Sequence, residues 1–192
     1  MSSPLLQTTV IASCIAIDFF LSGNAVTQSF MTLPAMIIDF PSPSSPEYKT
    51  RAHLLGKEWP LCWTVGNVVF RPISTISTLG YAFSAWSLYR SSNSTSLTGL
   101  TEKKDWRIFA LAALLHVSVI VHSAINMQPL NDQLAALAGT GTDGKGRALA
   151  STTKQVEGKA VEIATKWIRG NYYRLAVPMI SGGLSLYQAM FL

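Results

Sequence analysis

Four apolar stretches separated by three polar ones set the frame of this chain. The first runs from about Leu5 to Leu33 and stops at Pro34. The second lies within Trp59–Tyr89 and is broken by Pro72, the third is Trp106–Met127, and the fourth is Tyr172–Leu192. A helix needs about 20 apolar residues to cross a bilayer. The pattern therefore predicts an all-α integral membrane bundle of four transmembrane helices, a single domain over residues 1–192. Backbone groups in hydrocarbon must be satisfied within the helix, so the spans are expected to pack as a bundle through small residues. Gly23, Ala25 and Ser29 on the first span and Gly182 and Gly183 on the last suit that packing. With no basic leader and a long, interrupted apolar run, the first stretch reads as retained rather than as a cleaved signal peptide.

The connections refine the picture. Residues 35–58 contain PSPSSP, which cannot continue a helix, and residues 90–105 form a short polar loop. Residues 128–171 open with a Gly/Thr-rich piece. They then place Val156, Ala160, Ile163, Ala164 and Trp167 on one helical face, the mark of an amphipathic interfacial helix leading into the fourth span. Connections one and three carry Lys49, Arg51, Lys57, Lys145, Arg147, Lys154, Lys159, Lys166 and Arg169, against Arg90, Lys103, Lys104 and Arg107 on the other side. The positive-inside rule then puts the 128–171 loop in the cytosol and both termini on the luminal side of, most simply, the endoplasmic reticulum. The sequon Asn93-Ser94-Thr95 falls on that luminal side as a glycosylation site.

Composition excludes several classes. Charged residues make up 13% of the chain, against about 25% in soluble domains, and mean hydropathy is +0.28. The net charge of +5 is spread over connecting segments rather than gathered on one face, so no nucleic-acid partner is expected. Cys14 and Cys62 form no CxxC pair and read as small apolar side chains, and three scattered histidines make a poor metal site. Gly139–Lys145 resembles a phosphate-binding loop. However, Gly146 stands where a magnesium-binding Ser or Thr is needed, and no strand precedes it.

Polar residues inside the spans carry the candidate chemistry. Ser118, His122 and Asn126 recur at i, i+4 and i+8 on the third span, with His116 elsewhere on the same helix. Asp18 lies in the first span with Ser22 one turn on, and Arg71 lies beside Pro72. A charge at mid-membrane costs at least ~2.5 kcal/mol, so such groups face a partner or a cavity. Two readings follow: interhelical hydrogen bonds in which these groups satisfy one another, or a polar pocket, which the Ser118–His122–Asn126 stripe favours. Arg71 is a possible ion-pair partner for Asp18. Trp59, Trp63, Trp106, Tyr172 and Tyr173 at the span ends read as an interfacial belt, and His53 as a solvated loop residue.

Several motifs also carry a resemblance. Gly23, Ser29 and Pro34 fit a G-x5-S-x4-P pattern. Met127, Pro129, Asn131 and Leu134 fit M-x-P-x-N-x-x-L; Trp167, Arg174 and Pro178 fit W-x3-H-x2-R-x3-P; Gly66 and Pro72 echo a G…P segment. With these the chain resembles the fungal anthrone oxygenases, small membrane proteins of aromatic polyketide pathways. It departs from them at Asn171, where the family has histidine, and at Val121-His122-Ser123, where the family has P-x-T. The resemblance implies oxidation of an anthrone at its central methylene to an anthraquinone by molecular oxygen, with no metal or organic cofactor. On this reading His122 is the base, and Asn131 and Arg174 act with it as catalytic donors. Asn126, Trp167 (as a stacking wall), Asn171, Ser118, Asp18 and Arg71 meet the substrate. The implied partners are a small hydrophobic aromatic substrate and membrane lipid; the sequence leaves the oligomeric state open. Loss of the family histidine keeps an oxygen-independent cyclase or isomerase as an alternative, beside a non-catalytic membrane partner protein.

Overall fold

The computed structural model of the chain describes residues 4–92, 105–139, 156 and 158–191. Among these residues every regular element is helical: α1 (Pro4–Thr27), α2 (Leu33–Ile37), α3 (Tyr48–Val65), α4 (Arg71–Ser92), α5 (Trp106–His122), α6 (Gln128–Ala136) and α7 (Ala160–Phe191). Two helical runs, Pro4–Ile37 and Trp106–Ala136, are long and apolar enough to cross a membrane, with mean hydropathies of 1.7 and 2.2.

Three wide π-helical turns join these helices: Gln28–Thr32, Gly66–Phe70 and Ser123–Met127. Each ends two residues before a proline, namely Pro34, Pro72 and Pro129. A proline has no N–H, and its ring presses on the carbonyl four residues back, which here belongs to Phe30, Val68 or Ile125, inside the π-turn. The turn absorbs the defect by widening. Thus the Leu33 N–H reaches Gln28 O and the Gln128 N–H reaches Ser123 O, five residues back in each case. The first span therefore does not stop at Pro34 but runs on to Ile37, and the third continues through Pro129 to Ala136.

Two connections also differ from expectation. Helix starts at Tyr48, soon after the PSPSSP stretch, so His53 is a half-buried helical residue rather than a solvated loop residue. The helix expected as the fourth span begins earlier, at Ala160, and runs without a break to Phe191. Its face of Ala160, Ile163, Ala164 and Trp167, together with Val156, is buried in protein core. The amphipathic pattern is real, but the partner of its apolar face is protein rather than the membrane interface.

The chain packs as two compact units. One comprises Met1–Gly23, Arg71–Ile120 and Arg174–Leu192, with an apolar core of Ile11, Cys14, Ile15, Tyr81, Ala85, Phe109 and Ala112. The other comprises Asn24–Phe70 and Val121–Tyr173. There α3 packs on α6, and Leu33, Leu55, Trp59, Met127, Leu134 and Trp167 form the core. Large apolar side chains such as Phe20, Met31, Val68, Leu114, Ile125 and Met190 remain exposed.

Candidate functional site

In the second unit the wide turn after α5 sets His122 and Asn126 one above the other, four residues apart. His122 Nε2 lies 2.9 Å from Gly170 O, and His122 Nδ1 lies 3.0 Å from Asn126 Nδ2. A carbonyl oxygen only accepts, so Nε2 carries the proton and Nδ1 presents its lone pair, to which the Asn126 amide donates. His122 is half-buried, and the Asn126 side chain that bonds this lone pair is exposed. The Tyr173 ring lies beside the imidazole at 4.6 Å between centroids, and Tyr172 stacks on Phe30 at 5.6 Å. A Cβ at Gly170 would come within 2.7 Å of Met127 Sδ, so the Met127 side chain would have to shift, and would sit in ordinary contact with His122 Nε2 at 3.9 Å.

Asn131 has a different situation. Its Oδ1 accepts from Trp59 Nε1 at 3.1 Å and from Trp167 Nε1 at 2.8 Å, and the two indoles meet edge to face at 4.7 Å. Trp59 is 0% and Trp167 1% exposed, so neither is an interfacial anchor. The stacking wall expected of Trp167 is instead a buried strut. Asn171 is buried too: its Nδ2 donates to Ser29 Oγ at 2.9 Å and to Ala25 O at 3.2 Å. Two residues that carry the resemblance, Asn131 and Trp167, thus bond each other, and Asn171, where the chain departs from the family pattern, bonds the motif residue Ser29.

The first unit holds a second polar centre. Asp18 Oδ1 accepts from Ser77 Oγ at 3.1 Å and lies 2.7 Å from His116 Nε2, while Oδ2 accepts from Tyr81 OH at 2.8 Å. All four residues are completely buried. The carboxylate that the sequence offered to Arg71 is therefore engaged by His116 and two hydroxyls. Gly182 permits this, since a Cβ there would fall 2.9 Å from Asp18 Cβ. Arg71 is exposed, and Arg174 is half-buried within reach of its positive charge. Ser118 donates to Leu115 O at 2.6 Å on its own helix. The sequence reading missed His116 as a partner. The signal was there: Asp18 and His116 are ionisable residues within the two most apolar helical runs, where each needs a polar partner. Asn93 and residues 140–145 of the Gly-rich loop lie outside the described residues.

The described residues form a small all-helical protein with buried polar centres, exposed large apolar side chains and two helical runs long and apolar enough to cross a membrane. The chain matches the family model for anthrone oxygenases over residues 59–184 and belongs to the anthrone oxygenase family. It is 26% identical over 130 residues, 68% of each chain, to anthrone oxygenase AgnL2 of Paecilomyces divaricatus. No solved structure matches the chain. The family match takes in His116, His122, Asn131, Trp167, Asn171 and Arg174, whereas Asp18 and Ser29 precede it.

Proposed function

We infer that this protein is a four-span membrane enzyme that oxidises an anthrone to an anthraquinone with molecular oxygen, using His122 as its base. One observation carries the base assignment: an accessible imidazole, within the family-matched region, whose tautomer leaves Nδ1 unprotonated beside an exposed tyrosine ring. A flat apolar anthrone partitions into lipid and can reach such a ring from the side. In the proposed reaction Nδ1 takes one proton from the central methylene as the Asn126 amide swings off to donate to a substrate oxygen. The resulting anion, spread over three fused rings, passes one electron to oxygen. The radical pair then collapses to a carbon–oxygen bond, and the imidazolium returns its proton to the terminal peroxide oxygen. Loss of the second methylene proton as the O–O bond breaks forms the carbonyl and releases water, so that anthrone plus one O2 gives quinone plus one H2O.

The exposed apolar side chains and the two long apolar helices support a membrane setting, because water-soluble monomers rarely expose contiguous apolar patches of this kind. Luminal termini and an endoplasmic reticulum location are proposed from the Lys/Arg distribution together with the Asn93 sequon. Protease treatment of intact microsomes is expected to cut the 128–171 connection while sparing the termini; cleavage only after permeabilisation overturns that topology.

The functional test is the purified chain in lipid nanodiscs with an anthrone. One O2 is expected to disappear per quinone formed, and none in anaerobic buffer. Conversion that proceeds equally well without air points instead to a cyclase or isomerase. A well-folded protein that converts nothing argues for a non-catalytic partner role.

A further inference from the structure

The interior of the first unit contains more polar atoms than its hydrogen bonds account for. An ionised carboxylate is an acceptor only, and Asp18 takes three donors, one of them His116 Nε2–H. That leaves His116 Nδ1, buried and with no protein partner. Ser74 Oγ, Ser181 Oγ, Ser185 Oγ and Gln188 Oε1 in the same unit are also buried and without partners. This is not the ordinary fate of a helical serine, which bonds the carbonyl four residues back, as Ser84 does to Gly80 O at 2.9 Å. Ser185 sits next to the Tyr81 phenol, whose own proton goes to Asp18.

The register gives these atoms a direction. Ser74, Ser77, Tyr81 and Ser84 share one stripe of α4, and Ser181, Ser185 and Gln188 share one stripe of α7. At its far end Gln188 Nε2 donates to Asp105 O at 3.0 Å, where half-buried Asp105 precedes α5. Ser181 to Gln188 is about 10 Å along the helix at 1.5 Å per residue. Buried polar atoms that lack protein partners are commonly satisfied by ordered water.

We propose that the first unit holds a buried proton-exchange site, in which His116 Nδ1 trades protons with bulk water along a water-bridged line of Ser185, Gln188 and the Asp105 end of α5. The step is a simple transfer. A hydronium ion gives its proton to the Nδ1 lone pair, leaving water, and the Asp18 carboxylate balances the imidazolium across the 2.7 Å contact. The titratable groups around the ring are Asp18 and Cys14 on α1 and Tyr81 on α4, whose ring lies 5.7 Å from the imidazole. The α7 stripe contributes only the neutral Ser181, Ser185 and Gln188.

The test is nitrogen-15 NMR of histidine-labelled protein in lipid nanodiscs, with the His116 signals identified by their loss in His116→Gln. Two results are expected together. The ring nitrogen exchanges its proton with solvent in seconds or faster, and Gln188→Leu slows that exchange at least tenfold. Gln188→Met serves as the milder variant if Gln188→Leu does not fold. A ring proton protected for hours at every pH, or fast exchange indifferent to both Gln188 variants, overturns the proposal and makes the pair a sealed strut. No anthrone enters the measurement, so its outcome is independent of the oxygenase reading.

Discussion

His122→Gln is expected to lower anthrone turnover by on the order of 10²- to 10⁴-fold, the range a positioned general base contributes, while leaving the protein assembled. Glutamine is the informative replacement. Its amide N–H can still donate to Gly170 O, preserving the contact made by Nε2, but it has no lone pair basic enough to accept the methylene proton. The loss should fall on kcat more than on KM, because proton transfer belongs to the transition state and not to binding. Asn126→Ala should cost less, roughly tenfold, since it removes a donor and leaves the base. His53→Gln, on α3, is expected to change nothing. Turnover of His122→Gln within threefold of the unaltered protein would remove His122 from the mechanism.

The second large effect is on stability. Asn131→Leu removes one oxygen that serves two buried indoles, leaving the Trp59 and Trp167 N–H groups without an acceptor. Each stranded buried donor costs about 1–3 kcal/mol, so a loss of roughly 2–6 kcal/mol is expected. The measurement is denaturant unfolding in detergent followed by tryptophan fluorescence. Replacing the two donors as well, in Trp59→Phe/Trp167→Phe/Asn131→Leu, should recover part of the loss, because an apolar set has nothing left to satisfy. If Asn131 instead served the substrate as a donor, Asn131→Leu would abolish turnover with an unchanged unfolding curve. The two roles are therefore separable in one pair of measurements.

Several features were legible in the sequence because they depend on local pattern. Continuous apolar runs made the helices readable, and the 3.6-residue period put Val156, Ala160, Ile163, Ala164 and Trp167 on one buried face. The i, i+4 spacing alone brought His122 to Asn126. The motif residues placed the chain in a family whose model covers residues 59–184. The apolar pattern ends the first helix at Pro34, taken as a stop, and the third at Met127, and both helices run further. A helix can instead widen by one residue and continue, and propensity rules do not anticipate that choice.

What depended on tertiary structure was the choice of partner. Asp18 had a plausible mate in Arg71, and the fold selected His116, 98 residues away, because α1 and α5 bring those two side chains within 2.7 Å and Gly182 lets α7 close over them. The sequence pattern suggests an interfacial anchor at Trp59 and a stacking wall at Trp167, whereas in the fold Asn131 supplies the acceptor that allows both indoles to be buried. Local sequence determines which segments are helical and which faces are apolar, because those follow from neighbours along the chain. The pairing of a buried polar atom is settled only when distant helices meet, since the cost of leaving it unpaired is incurred only once water has been excluded.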